Sequence, residues 1–485
     1  MVDMDVLNLY PSPRVRMQLH LNPISSSVMV PRDSIKTRAG STENLMNLNR
    51  TAAEILVMCD GSITGERILV RLCNQYGKPV EEKRPWVRDF LIQVQGLGLL
   101  DFSETPTPGG PSISVTGSFT HPTPAHATVE LLSRCDLRCR HCYYEASPEA
   151  DEVMPYERAA ELFELLSRHG VLGIELTGGE ALIHPDFQRI FRCAVQTYET
   201  VALLTTGTHI SDGIADLIAS YREQVVVSVS LDAPSAEIHD AFRGAKGAFD
   251  RTCAGIRRLS KRGVVSRVSM SVFEDNKWLI ENTLILAREL GARLFTYEKV
   301  EPFGRGRELE IRFTADEYAR YADYEKDLHR KYASFIGMMT TEQMARYNQQ
   351  HNCGAGWRSV AISPLGVVRP CVMAPKGFMD LGNIFTQSYE EVFGSPLVRR
   401  LMELRAPVKG TTCPPDCKSR YFCRGCFVRG FRTNTVSAPR TCSWIKDNMM
   451  GGHLNSLIEL EAVSGMPRAE ESIDHADGHR GGDRA

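Results

Sequence analysis

Val129-Glu-Leu-Leu-Ser-Arg-Cys135-Asp-Leu-Arg-Cys139-Arg-His-Cys142-Tyr-Tyr is the stretch on which the reading of the chain turns. An apolar, strand-like run ends in a loop that carries three cysteines spaced C-x3-C-x2-C. Three thiolates at this spacing wrap one face of an iron–sulfur cubane and occupy three irons, leaving the fourth open to another ligand. Zinc is the competing occupant, but a structural zinc site is closed by four ligands. His141 is the nearby candidate for a fourth, and as the immediate neighbour of Cys142 it points away from the site.

The surroundings set the fold. From residue 127 to about 297, strands and amphipathic helices alternate. Strands are predicted at 127–132, 172–176, 200–204, 225–231, 265–271 and 293–297, and helices at 156–168, 186–197, 248–262 and 277–290. Six β/α units in series argue for a parallel sheet, open or closed into a partial barrel. In such folds the chemistry sits at the carboxyl ends of the strands. Leu176-Thr-Gly178-Gly179-Glu180, Thr205-Thr-Gly207, Ser228-Val-Ser230-Leu-Asp232 and Glu301-Pro-Phe-Gly304-Arg-Gly306 all fall there, and His239-Asp-Ala-Phe-Arg243-Gly244 follows the fourth strand.

The cysteine spacing behind the first strand of a six-fold β/α repeat resembles the radical S-adenosylmethionine (SAM) superfamily. The resemblance implies an α/β fold: a partial (β/α)6 TIM barrel, here with an N-terminal winged-helix-like domain and a C-terminal Cys-rich iron–sulfur domain. It also implies that Cys135, Cys139 and Cys142 hold a [4Fe–4S] cluster whose open iron chelates SAM, and that reductive cleavage of SAM gives a 5′-deoxyadenosyl radical. Gly178, Gly179 and Glu180 match the family's GGE segment, where glycines let carbonyls approach the SAM ammonium and Glu180 adds negative charge. His141 takes the place of the aromatic residue beside the adenine, and Ser230 falls where ribose contacts are made. Arg243 matches an arginine that meets the SAM carboxylate; a surface charge at a helix end is the alternative for it.

Seven further cysteines lie in the last third of the chain: Cys353, Cys371, Cys413, Cys417, Cys423, Cys426 and Cys442. Twelve residues separate Cys353 from Gly366 and four separate Gly366 from Cys371. This resembles the SPASM domain of radical SAM enzymes that modify peptides and proteins. The second half departs from the pattern, reading C-x3-C-x5-C-x2-C. The resemblance implies two auxiliary [4Fe–4S] clusters, one on Cys353, Cys371 and Cys426, the other on Cys413, Cys417, Cys423 and Cys442. Zinc ribbons are the alternative. The four remaining cysteines, Cys59, Cys73, Cys193 and Cys253, sit singly in apolar helical patterns and are read as small core residues.

Before the barrel, three helical patterns run from Thr51, which has a capping-box spacing to Glu54, to Gly96-Leu-Gly-Leu-Leu; the third opens with Pro85 near its first turn. Leu48-Asn-Arg-Thr-Ala-Ala-Glu-Ile-Leu-Val-Met-Cys-Asp60-Gly61 and its surroundings resemble the peptide-chaperone domain of pyrroloquinoline-quinone biosynthesis, a RiPP recognition element. There a leader peptide adds as a strand to a small sheet. The β-prone segment at 27–37 is the expected docking edge. A DNA-binding winged helix and a unit that merely packs on the barrel are the alternatives. Residues 1–104 hold twelve Lys+Arg and twelve Asp+Glu, with no basic stripe, which argues against DNA.

The organisation expected is therefore 21–102 peptide-recognition domain, 103–126 linker, 127–310 barrel, 311–349 helical bridge, 350–450 auxiliary-cluster domain and 466–485 disordered tail. A formal net charge of −2 invites neither nucleic acid nor an anionic membrane. No apolar run approaches the roughly 18 residues of a membrane span. With no export signal pattern at the N-terminus, the cytosol is expected. The expected activity is radical modification of a ribosomally made precursor peptide by cross-linking, oxidation or epimerisation. Its partners would be that peptide and an electron donor such as flavodoxin or ferredoxin. Alternatives are a radical SAM enzyme acting on a small molecule or a maturing protein, and a non-catalytic iron–sulfur carrier or regulator. No acid or base stands out: Asp232, Tyr297 and Glu298 lie near strand ends, where fold roles explain them equally well.

Overall fold

The computed structural model describes residues 5–23, 25–30, 45–301, 303–309, 311, 313–340, 343, 353–377, 379–404 and 426. The N-terminal unit comprises β1 (Tyr10–Pro13), β2 (Met17–Leu21), β3 (Ser26–Met29), β4 (Leu45–Leu48), α1 (Arg50–Met58), α2 (Gly65–Tyr76), α3 (Val80–Gly96), β5 (Leu100–Ser103) and β6 (Ile113–Gly117). β1 pairs with β5, and the other four strands form a sheet ordered β4-β3-β2-β6. Helices α1–α3 bury Ile55, Leu56, Ile68, Leu69, Val87 and Leu91, with Met17, Leu19 and Val28 of the sheet in the same core.

Four expectations change here. The unit begins before residue 21, because β1 and β2 lie in the stretch without periodicity, and it runs into the expected linker, because β6 pairs in parallel with β2 from Met17↔Ile113 to Leu21↔Gly117. Strands of four or five residues containing Pro, Ser and Gly leave little periodic signal, while their backbone pairing is indifferent to it. Helix α1 is capped by Asn49, whose side chain accepts from Ala52 N–H at 2.8 Å, and Glu54 instead accepts from Arg50 and Tyr76. Helix α3 starts five residues before Pro85, which therefore sits inside it. β3 is paired on both sides, so the described part of the 27–37 segment offers no free edge, and 31–37 lies outside the described residues; in the described sheet the outer strands are β4 and β6.

The barrel follows as β7 (His126–Glu130), α4 (Tyr156–Arg168), β8 (Gly173–Thr177), α5 (Phe187–Thr197), β9 (Val201–Thr205), α6 (Asp212–Ala219), β10 (Val225–Ser230), α7 (Ala236–Arg243), α8 (Ala248–Lys261), β11 (Val265–Val272), α9 (Ile280–Glu289) and β12 (Leu294–Lys299). Each β7-to-β12 neighbour pair is parallel. The helices form because their apolar residues recur every three or four positions: α4 buries Ala159, Leu162, Phe163 and Leu166. Their partners are the outward residues of the strands, among them Val129, Leu176, Leu203, Val227 and Met270. α10 (Ala315–Lys331) packs beyond β12, with His329 against Tyr297. The helical bridge expected over 311–349 is helical as far as Lys331; 332–340 is not helix, and most of 341–352 lies outside the described residues.

β13 (Ser359–Ile362) adds in parallel to β7, and β14 (Val367–Arg369) and β15 (Gly382–Asn383) extend the same nine-stranded sheet, followed by α11 (Tyr389–Phe393) and α12 (Pro396–Glu403). The C-terminal region is thus continuous with the barrel sheet. Gly366 makes the β13–β14 turn at φ +82°, where a Cβ would lie 2.4 Å from the Phe385 ring. Among the four single cysteines, Cys59, Cys73 and Cys253 are buried and Cys193 is half-buried against the core. Among the described residues no helix is long and apolar enough to cross a membrane.

The N-terminal unit seats on the end of the barrel where the strands begin. His20 Nε2 pairs with the Thr123 carbonyl oxygen at 2.8 Å, Thr116 Oγ1 donates to the Gly170 carbonyl at 3.4 Å, and Met29 packs with Ala125 and Leu172, just before β7 and β8.

Because β6 completes the sheet, a protein spanning residues 5–120 should melt above one spanning 5–104. The lost ladder is worth at least about 1 kcal/mol net, or about 4 °C for a unit of this size. Thermal unfolding of the two checks this, and equal midpoints would show that β6 adds nothing.

Candidate active site at the carboxyl ends of the barrel strands

The loop after β7 is threaded between the loops of three other strands, and glycines make room for it. A Cβ on Gly179 would lie 2.0 Å from the Arg134 carbonyl oxygen, and one on Gly178 would lie 2.4 Å from that of Leu132. A Cβ on Gly244, after β10, would meet the Arg138 carbonyl oxygen at 2.7 Å, and one on Gly304, after β12, that of Cys142 at 2.5 Å. The close approach that Gly178 and Gly179 permit in the protein is therefore to the cysteine loop itself. Hydrogen bonds fix the seat: Gly179 N–H to Leu132 O at 2.7 Å, Glu180 N–H to Arg134 O at 3.0 Å, Arg140 N–H to Phe242 O at 3.0 Å. Arg305, between Gly304 and Gly306, donates from Nε to Cys139 O at 2.8 Å and from Nη1 to Ala146 O at 2.9 Å. Sequence reading flagged the glycines around Arg305 and passed over the arginine.

Cys135 and Cys139 are buried and Cys142 is half-buried, in an apolar nest with Leu137 and Ala146. Burial pushes the Cys135 and Cys139 thiols well above their ordinary range, although Arg243 pulls Cys139 back. Bare thiolates are costly in this nest, and coordination to iron offsets that cost. The donor set fits a [4Fe–4S] cluster with one iron open: three thiols, no fourth cysteine in the loop, and Nη1 of Arg243 at 3.8 Å from the Cys139 sulfur.

Arg243 is no surface charge. It is 5% exposed, and its Nε donates at 2.6 Å to Oδ2 of Asp232, itself fully buried. Burial opposes ionisation of Asp232, but Arg243, with smaller contributions from His239 and His141, holds the carboxyl below its usual range. Asp232 also accepts from Ser271 N–H at 2.9 Å, and its own N–H donates to His239 Nδ1 at 3.2 Å. Burial drives His239 down to about 4, so it stays neutral. His141 stacks on Phe242 with ring centroids 4.3 Å apart, and Phe242 on Phe273 at 3.9 Å. Burial, with the Arg243 charge, lowers His141 to about 3, and its buried Nδ1 has no partner among the described residues. Glu180, 1% exposed, accepts from Leu182 N–H and Thr205 Oγ1 on one oxygen and from Thr206 N–H and Oγ1 on the other. Those four donors use the lone-pair positions of a carboxylate, so Glu180 clamps the loops after β8 and β9 and leaves the site its charge.

The inner face of the barrel is polar. Register places Thr128 beside Glu175, Ser228 beside Arg267, Ser230 beside Ser269, and Ser271 beside Glu298. Thr128 Oγ1 donates to Glu175 at 3.0 Å, and Arg267 Nε to Ser228 Oγ at 3.2 Å. A closed TIM barrel fills this space with branched apolar side chains; here hydroxyl and charged side chains share it with Ala202, Leu204 and Leu294, which register places beside Glu175, Ser228 and Arg267. Ser230 faces that space. Of the three strand-end candidates, Glu298 does too, while Tyr297 faces α10 and Asp232 is the buried partner of Arg243.

In the C-terminal region Cys353 and Cys371 come together: Gly356 N–H, in the turn after Cys353, donates to Pro370 O at 2.8 Å. Burial raises Cys371 to about 11, and Cys353 adds to the rise. Cys371 and Cys426 both pack against the main core. Cys413, Cys417, Cys423 and Cys442, like the tail at 466–485, lie outside the described residues.

A β/α barrel with a three-cysteine loop seated on glycines at its catalytic end defines the radical SAM class. The radical SAM superfamily model matches residues 129–286, an iron–sulfur cluster-binding domain of the SPASM type matches 353–426, and the coenzyme PQQ synthesis protein D (PqqD) model matches 27–100. The chain belongs to the radical SAM superfamily, in the SPASM group, and is an enzyme of [4Fe–4S] clusters and SAM. Within it, the chain is 38% identical over 407 residues to the antilisterial bacteriocin subtilosin biosynthesis protein AlbA of Bacillus subtilis, covering 84% of this chain and 89% of that one. It is 26% identical over 301 residues to the sporulation killing factor maturation protein SkfB of the same organism, covering 62% and 72%. Among solved structures, Streptococcus suis SuiB bound to S-adenosylmethionine shares the fold at TM-score 0.59 and 14% identity, covering 89% of this chain and all of that one.

Gly179→Ala should unseat the cysteine loop, since the added Cβ meets backbone and not a movable side chain. Anaerobically reconstituted variant should carry about four irons fewer than the parent. Unchanged iron by metal analysis would show that the loop tolerates the shift.

Proposed function

We propose that the chain is a maturase of a ribosomally made precursor peptide. When held by Cys135, Cys139 and Cys142, a [4Fe–4S] cluster with SAM would supply the 5′-deoxyadenosyl radical chemistry that takes a hydrogen atom from the peptide. The chain's own residues hold and screen. Cys135, Cys139 and Cys142 are assigned to the SAM-binding cluster. Arg243 steadies the Cys139 sulfur and adds a positive charge toward the SAM carboxylate. Gly178 and Gly179 seat the cysteine loop, and Glu180 would set negative charge near the SAM ammonium. Ser230 faces the ribose position, and Nδ1 of His141 offers a hydrogen-bonding atom beside the adenine. Cys353, Cys371 and Cys426 are assigned to one auxiliary cluster, and Cys413, Cys417, Cys423 and Cys442 to the other. A cytoplasmic flavodoxin or ferredoxin would supply electrons.

The observation that carries the peptide assignment is the N-terminal unit joined to this barrel. Its outer strand β4 leaves one edge without a strand partner in the described sheet. Helices α1–α3 of the same unit form a groove of about 520 Å³ lined by Thr51, Leu69, Leu72, Tyr76, Trp86 and Val87, with Lys78, Glu82 and Lys83 among its other lining residues. A leader segment adding to β4 would gain backbone hydrogen bonds there and side-chain pockets from the groove. AlbA and SkfB, by their names, serve a bacteriocin and a killing factor, and SuiB has been solved with a precursor peptide, SuiA. The N-terminal unit sits at the strand-start end, so a docked leader must span the barrel to reach the mouth. Strands of five to eight residues at about 3.3 Å each set a minimum of about five extended residues between leader and modified segment.

Trp86 is 43% exposed, so Trp86→Glu should fold normally while placing a charge in the groove. Peptide binding should weaken at least about tenfold, and SAM cleavage without peptide should stay at the parent rate. Anisotropy of a labelled leader and quantification of 5′-deoxyadenosine measure the two. Full-strength leader binding in this variant would remove the groove from the account.

A further inference from the structure

A buried ion pair lies between the two cysteine regions. Arg369 and Glu130 are each 1% exposed, and Nη2 of Arg369 donates to Oε1 of Glu130. Glu130 ends β7, five residues before Cys135; Arg369 ends β14, two residues before Cys371. Nη1 of Arg369 donates at 2.5 Å to the Ala374 carbonyl, and Ala374 N–H bonds back to Cys371 O at 3.1 Å, so the guanidinium holds the loop that presents Cys371. Its Cζ stands 5.9 Å from the ring of Tyr144, two residues after Cys142, with Lys376 Nζ 5.6 Å from that ring. Nε of Arg369 and Oε2 of Glu130 have no hydrogen-bond partner among the described residues.

Stability does not explain such a pair. Removing two charges from water costs several kcal/mol per ion, and apolar residues of similar size usually hold a core as well. Here the satisfaction is incomplete, which makes the pair still less favourable. Its position does explain it. One cation bonds to the Cys371 loop and to the strand that delivers Cys135, and stands over the ring of Tyr144, two residues after Cys142.

We propose that Arg369 is a positioning residue for the auxiliary site, and that its charge, balanced by Glu130, sets how readily the iron–sulfur group on Cys353 and Cys371 accepts an electron. The inference rests on the assignment of those cysteines to a cluster. In a low-dielectric interior a nearby cation favours the added electron and a nearby anion opposes it. The two members of the pair therefore act with opposite sign on electron uptake, although both serve the same packing.

The test is EPR-monitored redox titration of the full chain, reconstituted anaerobically, as parent, Arg369→Gln, Arg369→Lys and Glu130→Gln. Iron content and the auxiliary EPR signal of the parent are recorded first; their absence would sink the cluster assignment and this inference with it, whereas wrong shifts with the signal present sink this inference alone. With the signal present, Arg369→Gln should make reduction harder and Glu130→Gln easier, each by about tenfold (~59 mV for one electron). Arg369→Lys should return to the parent value within threefold. Shifts in the same direction, or none, would overturn the proposal, since a purely structural pair loosens alike whichever member is lost. Where Arg369→Gln fails to retain iron, Glu130→Gln decides alone: an upward shift supports the role and an unchanged potential refutes it.

Discussion

Everything in this enzyme depends on one steric fact: the backbone of the loop after β7, from Leu132 to Cys142, lies against Cα atoms that carry no side chain. Gly178 and Gly179 come from the second barrel strand, Gly244 from the helix after the fourth, and Gly304 from the sixth. Residues far apart in sequence converge on a single loop, and any side chain among them would force it away. Arg305 and Glu180 then fix what the glycines admit, one by donating to loop carbonyls, the other by tying the loops after β8 and β9 together. Two of the three cysteines end up buried and the third half-buried, with a guanidinium beside the Cys139 sulfur, an environment hostile to free thiolates and favourable to thiolates on iron.

The barrel has two ends with different tasks. Its outer face is apolar and carries the helices; its inner face is lined by Thr128, Glu175, Ser228, Arg267, Ser269 and Glu298. That polarity would be a defect in a packed core and suits a chamber with a guest. The mouth holds the cysteine loop, and the opposite end holds the N-terminal unit. The C-terminal region is not a separate bead on a string. β13 continues the barrel sheet from β7, and the Glu130–Arg369 pair ties the next strand to the same place.

The barrel was legible because its signals are periodic and local. All six strands fall within two residues of the positions read from the sequence, and Gly-Gly-Glu was placed by its position after the second strand. The cysteine spacing carried the class of site. What the sequence hid was pairing at a distance. β6 lies in a Pro- and Gly-rich stretch and becomes a strand only because β2 lies alongside it. Arg243 left two readings open from sequence, a SAM contact and a surface charge at a helix end, and its burial removes the second: it is locked to Asp232 and lies beside a sulfur. Arg369 stands beside a cysteine with nothing in its neighbours to announce Glu130, 239 positions away. Glu298 and Tyr297 are adjacent residues with opposite directions, a matter of strand register that no local reading supplies.

The measurement that bears most directly on the account is 5′-deoxyadenosine formation from SAM under dithionite by the full chain with Cys135, Cys139 and Cys142 all replaced by alanine. The auxiliary cysteines are left in place, so iron remains in the protein. Formation should fall to the level of the chemical blank while the remaining iron persists. Cleavage at the parent rate in that variant would place the SAM-cleaving cluster elsewhere and contradict the account.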